Sequence, residues 1–92
     1  MGKNYRELIS LLSDTPPISE SERVDISAMI SNSKTLSRDL RDMTLEEVQK
    51  GFIIEMETRR RPYILHRLES RTRRLKQEKW NDELSQALYV KP

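Results

Sequence analysis

Residues 58–80 read TRRRPYILHRLESRTRRLKQEKW and form the most strongly patterned segment of this 92-residue chain. Apolar residues recur there at three- and four-residue steps, the periodicity of an amphipathic helix: Tyr63, Ile64, Leu65, Leu68 and Leu75. Proline lacks a backbone N–H and breaks or kinks a helix interior. The segment therefore predicts a helix over residues 63–80, with a kink or a turn at Pro62. A short terminal helix or tail is predicted to follow over residues 82–92.

The segment before it carries a clear helix start. In Thr44-Leu45-Glu46-Glu47, Thr44 can cap the helix while Glu47 reaches back, the pattern of a capping box. Apolar residues then follow on one helical face: Leu45, Val48, Phe52 and Met56. This pattern predicts a helix over residues 45–61, and the missing side chain of Gly51 predicts a close helix crossing.

Earlier parts of the chain are also helical in pattern. Asn4 and Glu7 predict a short helix over residues 4–14, which a proline-containing linker over residues 15–18 ends. Ser19 and Glu22 form a second capping-box pattern. Apolar spacing favours one helix over residues 20–41, and the polar stretch at residues 31–35, which is poor in helix propensity, leaves two shorter helices as the alternative. Together these elements predict a single all-α domain, a small bundle of three to five helices whose last long helix is Arg-rich.

Composition predicts a small core. Apolar residues make up 35% of the chain and charged residues another 35%. Typical soluble domains hold roughly 45–50% apolar residues with glycine included and about 25% charged residues. We therefore expect the chain either to borrow core from a partner, in a hetero- or homo-oligomer, or to be weakly stable alone.

Several functional classes are disfavoured by residue content. The chain has no Cys, one His and two Gly, so it offers no thiolate, no Cys or multi-His metal site and no Gly-rich phosphate loop. Its longest apolar runs are too short for a membrane span or a signal peptide. We expect an intracellular, non-enzymatic protein, in the nucleus, cytoplasm or nucleoid, without cofactor, metal, small-molecule substrate or membrane.

Charge is strongly segregated along the chain. Residues 58–79 contain nine basic and two acidic residues, although the whole chain carries only +2. Helical spacing predicts that Arg60, Arg67, Arg71 and Arg74 share one face. Guanidinium groups suit phosphates and carboxylates equally, so this face predicts nucleic-acid contact, ion pairs with a protein, or a merely solvated surface.

His66 and Trp80 are the other candidate functional residues. His66 has no partner in phase except Glu69, which favours a surface or packing role over catalysis. Trp80 is the only Trp and is either a packing anchor or a hot spot for a partner. The predicted partner-binding residues are therefore the following: Arg59, Arg60, Arg67, Arg71, Arg74 and Trp80.

The chain resembles the α-helical A domain of GINS subunits of the eukaryotic and archaeal replicative helicase. The resemblance lies in the short opening helix YRELISLL at residues 5–12 and in RRRPYILHRL at residues 59–68, continuing through Arg71, Arg73 and Leu75 to Trp80. GINS subunits carry a similar Arg-rich, Leu-spaced stretch, without the proline found here at Pro62. The resemblance implies a helical bundle with a non-catalytic role, holding helicase, polymerase and primase together.

The sequence thus predicts a non-catalytic assembly subunit of a DNA replication complex, binding other protein subunits through its Arg-rich helix. The competing prediction is a small basic helical protein, of viral or accessory origin, that binds DNA or RNA directly. Salt dependence separates the two, because phosphate contacts weaken steeply as the salt concentration rises.

Overall fold

The computed structural model describes residues 10–89, and all regular secondary structure within this range is helical. Residues 10–12 are helical and lead into a turn. Four helices follow: α1 (Glu20–Ile30), α2 (Leu36–Asp42), α3 (Leu45–Glu57) and α4 (Pro62–Tyr89). The predicted all-α bundle with a long, Arg-rich last helix is confirmed. The first part of the predicted 4–14 helix and the end of the predicted tail lie outside the described residues.

Both capping boxes predicted from the sequence are present. The Ser19 hydroxyl accepts from the Glu22 amide at 3.2 Å, and the Glu22 carboxylate accepts from the Ser19 amide at 3.0 Å. Thr44 and Glu47 make the same reciprocal pair at 3.2 and 2.8 Å. Hydrogen bonds from the Lys50 ammonium and from Ser19 also lower the pKa of Glu22 to about 2. Local sequence therefore sets the starts of α1 and α3.

Thr44→Ala should lower the free energy of unfolding by about 1 kcal/mol, because the Glu47 amide loses its acceptor at the start of α3. Urea denaturation would measure the effect as a lower midpoint at unchanged slope. Ser33→Ala is the control, because Ser33 is exposed and its hydroxyl makes no hydrogen bond among the described residues. Equal effects of the two substitutions would contradict the capping account.

The core surrounds α3, which packs against α4 on one side and α1 on the other. Val48, Phe52 and Ile54 of α3 are buried, as are Ile64 and Leu68 of α4. The other helices complete the cluster with these buried residues: Ile26, Ile30, Leu36, Leu40 and Met43. α4 is thus anchored by its first half.

Gly51 lies where α1, α3 and α4 meet, as the sequence predicts for a helix crossing. A methyl group at Gly51 would contact Ile26 and Ile30 of α1 and Leu68 of α4 at 3.4–3.5 Å, which is close to ordinary van der Waals distance. The crossing therefore has room for alanine.

Gly51→Ala should raise the free energy of unfolding by about 0.5–1 kcal/mol, because alanine is the better helix former and its methyl fits. Gly51→Val, which adds volume at the same position, serves as the comparison and should destabilise through overpacking. Thermal unfolding of both variants tests this, and destabilisation by alanine would mean that the crossing is tighter than described.

The single helix predicted over residues 20–41 is wrong, because the chain forms α1 and α2 with a turn between them. The Ser31 hydroxyl donates to the Ala28 carbonyl at 2.8 Å, and the Asn32 side chain accepts from the Lys34 amide at 2.9 Å. Such local bonds offer the backbone an alternative to the helix ladder. The turn lets Leu36 and Leu40 of α2 reach the core.

Two helix ends also differ from the prediction. α3 ends at Glu57 rather than at residue 61, because Arg60 adopts a left-handed conformation (φ 53°) and its amide bonds to the Glu55 carbonyl at 2.7 Å. This geometry closes a helix C-terminus. α4 continues through the predicted break at residue 82 to Tyr89. There the Asn81 side chain accepts from Gln77 one turn earlier, instead of starting a new helix.

Candidate partner-binding surface on helix α4

Helix α4 presents different faces along its length. Ile64, Leu68 and Thr72 point into the bundle and are buried. At about 100° per residue, Arg67, Arg71 and Arg74 lie roughly a quarter turn away from this core line. The predicted grouping of these three arginines on one side of the last helix is therefore correct.

An open groove of about 480 Å³ runs between α2 and this arginine face. Its lining comes from both helices: Ser37, Leu40 and Arg41 of α2, and Arg67, Ser70, Arg71 and Arg74 of α4. Four guanidinium groups and two hydroxyls thus surround a single apolar side chain. Among the described residues no carboxylate lines the groove, so its lining carries four positive charges, of which Arg74 is paired with Glu78 outside the lining. We call it the Arg groove.

Arg67 is held in place by its neighbours. Its guanidinium donates to the Tyr63 hydroxyl at 3.0 Å and to the Ser37 hydroxyl of α2. It also lies 5.8 Å from the centroid of the Tyr63 ring, within the range of a cation–π contact. Arg67 thereby bridges α4 and α2 at one end of the groove, and no carboxylate within residues 10–89 pairs with its charge.

Arg71 lies between Arg67 and Arg74 along the α4 side of the groove. Its Nε is buried and has no hydrogen-bond partner among the described residues. Leaving a buried donor unpaired costs about 1–3 kcal/mol, so the fold tolerates this guanidinium at a cost. Arg74 is only loosely engaged, through an exposed ion pair with Glu78 at 3.3 Å.

The other two predicted arginines lie elsewhere. Arg60 precedes α4, and its Nε donates to the Met56 carbonyl at 2.8 Å. Arg59 is exposed and lines a separate depression beside Arg61. The predicted alignment of Arg60 with Arg67, Arg71 and Arg74 is wrong, because the helix does not begin until Pro62.

Arg61, in contrast, is half-buried and its hydrogen bonds are made within the fold. Its side chain donates to both oxygens of the Glu55 carboxylate, at 2.9 and 3.0 Å, and its backbone amide donates to the same group at 2.9 Å. It also donates to the carbonyls of Ile30 and Ser31 at the end of α1, at 3.0 and 2.9 Å. Burial raises the pKa of Glu55, but the bonds and charge of Arg61 outweigh it, so the net pKa is lowered.

Sequence patterning missed this pair. It placed Met56 on the apolar face of α3, but Met56 is 37% exposed and Glu55 is only 1% exposed. A signal existed in the helical phase, since Glu55 follows Phe52 by three residues on the stripe that contains Val48. The helical phase alone could not show that the buried Glu55 carboxylate pairs with Arg61, which follows six residues later after a turn.

The distal half of α4 carries exposed apolar side chains. Trp80, Leu84 and Leu88 are 58%, 41% and 70% exposed, and steps of four residues place them in one stripe along the helix. Trp80 is therefore not a packing anchor within the described part of the chain. Helical phase puts this distal stripe roughly 110° from the Arg groove.

Lys76 and Asp14 connect the start of the bundle to α4. The Lys76 ammonium donates to Asp14 at 3.2 Å and to the Ser10 carbonyl at 3.3 Å. Buried Gln49 of α3 donates to the same Asp14 carboxylate at 2.9 Å and to the Leu11 carbonyl at 2.8 Å. Lys76 thus belongs to an internal polar network, which removes it from the free basic surface.

Within residues 10–89, the remaining titratable side chains do not form a metal site. His66 is exposed. Over residues 10–89, no three His, Asp or Glu side chains converge in a way that could hold a metal ion. Within that range, no helix has both the length and the apolar character needed to cross a membrane.

Comparison of the chain with protein-family models, curated proteins and solved structures gives no match.

Proposed function

We propose that this protein is a non-catalytic helical assembly subunit of a DNA replication complex that binds its partners through α4. The observation that carries the proposal is the exposed distal half of a 28-residue helix whose first half packs in the bundle. An isolated helix extension that displays Trp and Leu side chains to water is typical of a protein-binding element.

The distal stripe suits a protein partner better than any other ligand. Trp is enriched among residues that dominate binding energy at interfaces, where its large ring is removed from water. The partner should therefore present an apolar groove for one helix face.

The replication setting rests on the resemblance to the GINS A domain. That resemblance covers the Arg-rich and Leu-spaced segment from Arg59 to Trp80, which is the segment that forms the turn into α4 and most of its length. In such a complex the role of this subunit is to hold other components together, without catalysis and inside the cell.

Site-specific photo-crosslinking in the source cells tests the proposal. A photoreactive amino acid at Leu84 should capture a discrete protein that mass spectrometry identifies as a replication component. The matched control is Val24, a 69% exposed apolar residue on α1, which should give no such adduct. Equal labelling at both positions, or capture of a protein unrelated to replication, would contradict the proposal.

The second candidate function, direct binding of DNA or RNA, is favoured by the Arg groove and its lack of carboxylates. The two functions use different parts of α4. Binding that depends on Trp80 and little on salt supports the assembly role, whereas binding that depends on Arg71 and falls steeply with salt supports contact with phosphates.

A further inference from the structure

We propose that the Arg groove binds successive phosphate groups of a nucleic-acid strand, with the Arg71 Nε as its central donor. The groove includes Arg41 of α2, which lies far from the Arg-rich segment in sequence and which only the fold brings beside Arg71 and Arg74. This site is additional to the protein-binding role of the distal stripe and does not depend on it.

The unpaired groups in the groove point to an anionic ligand. Neither Arg41 nor the buried Nε of Arg71 has a partner among the described residues. Four positive charges converge here although acidic residues are abundant elsewhere in the chain. Such an arrangement is unfavourable in the free protein and becomes favourable once an oxyanion accepts the free N–H groups.

Dimensions and surroundings favour a nucleic-acid strand over an acidic protein segment. From Arg67 to Arg74 the helix rises about 10 Å, so these guanidinium groups can contact more than one phosphate of a strand. The groove is open to solvent rather than enclosed, so a polymer can lie across it. Exposed Tyr63, against Arg67 at one end, offers a ring on which a base can stack.

The distal stripe faces another direction, so both ligands can be held at once. The stripe lies about 110° around α4 from the groove and begins one to two turns beyond Arg74. Loss of phosphate binding therefore leaves the protein-binding proposal intact, and failure of crosslinking at Leu84 leaves the groove proposal intact.

Fluorescence anisotropy with a labelled mixed-sequence 16-nucleotide DNA tests the proposal, using the full chain. Arg71→Gln and Arg41→Gln should each weaken binding about tenfold and lower the slope of log affinity against log salt by about 0.7. Arg73→Gln is the matched control: it removes the same charge two residues away, on the side of α4 that carries the Glu69 ion pair. Its effect should stay below threefold.

Two outcomes of this titration overturn the proposal. If Arg73→Gln weakens binding as much as Arg71→Gln, the attraction is diffuse and no phosphate site exists. If the unmodified chain binds a labelled poly-glutamate peptide more tightly than the oligonucleotide at equal salt, the groove takes acidic protein segments instead. A duplex of the same sequence shows whether single or double strands bind better, and both support the site.

A stability measurement separates a binding role from a structural one. Arg71→Met removes the unpaired Nε and places an apolar chain beside Leu40, so it should raise the thermal midpoint by several degrees while oligonucleotide binding falls at least tenfold. Arg71→Lys retains the charge but loses the forked donors and should bind at least threefold more weakly. A lowered midpoint in Arg71→Met would mean that Arg71 serves the fold, and would overturn the proposal.

Discussion

Arg61→Met should destabilise the bundle by about 3–5 kcal/mol, because it leaves the buried Glu55 carboxylate without its cation. The substitution also removes the donors to the Ile30 and Ser31 carbonyls, which tie the end of α1 to the start of α4. Chemical denaturation measures the loss. Arg74→Met is the matched control, since its ion pair with Glu78 is exposed and should contribute less than about 0.5 kcal/mol.

The pH dependence of the stability of Arg61→Met tests whether Glu55 and Arg61 are coupled. In the unmodified chain the pKa of Glu55 is lowered, so its contribution to stability is present above the ordinary pKa and is lost on acidification. Arg61→Met removes the guanidinium that lowers this pKa, while the residue-61 amide and Arg59 remain, so the pKa of Glu55 rises and less stability should be lost as the pH falls from 7 towards 5 than in the unmodified chain. If Arg61→Met and the unmodified chain show parallel pH profiles, the two side chains are not coupled as described.

Reversing Arg67 and Arg71 to Glu should abolish binding of the labelled oligonucleotide, with a loss of more than 100-fold at low salt. Two carboxylates would then face the phosphates in place of two guanidinium groups, and like charges repel at close range. Arg and Glu have similar helix propensities, so far-UV circular dichroism should change little. Where residual binding is still measurable at low salt, the salt slope should fall by about 1.4 units for two lost phosphate contacts on the single strand.

Lys34→Glu combined with Lys79→Glu is the control for this double variant. Both lysines lie outside the groove lining, and the double substitution changes the net charge by the same amount. It should weaken binding several-fold, through long-range attraction alone. Equal losses in the two double variants would show that the arginine face is ordinary solvated surface.

Local signals in the sequence predict much of this fold. The boxes at Ser19 and Thr44 need only residues three apart, and both helix starts follow from them. The core-facing side of α4 follows from the spacing of Ile64 and Leu68. These features depend on contacts within one or two helical turns, where a pattern of residue types carries nearly all the information.

Features that join distant segments could not be predicted in the same way. The break after α1 occurs because the side chains of Ser31 and Asn32 form hydrogen bonds with the nearby backbone in place of a continued helix. Helix propensity alone disfavours a helix there only weakly. Glu55 pairs with Arg61 only because of the turn between α3 and α4, and Arg41 lies in the groove only because of the turns on either side of α2. Hydrophobic periodicity does not predict the geometry of such turns. The α2 side of the Arg groove could therefore not be predicted from the sequence.

Nitrogen-15 spectra of the arginine and tryptophan side chains test most directly the claim that α4 carries the binding surface. On addition of the 16-nucleotide DNA, the Nε–H signal of Arg71 should shift strongly, with smaller shifts for Arg41, Arg67 and Arg74. Arg23, which is paired with Glu57 on another side of the bundle, and the indole of Trp80 should stay in place. A stationary Arg71 signal, or equal shifts of Arg71 and Arg23, would contradict the account.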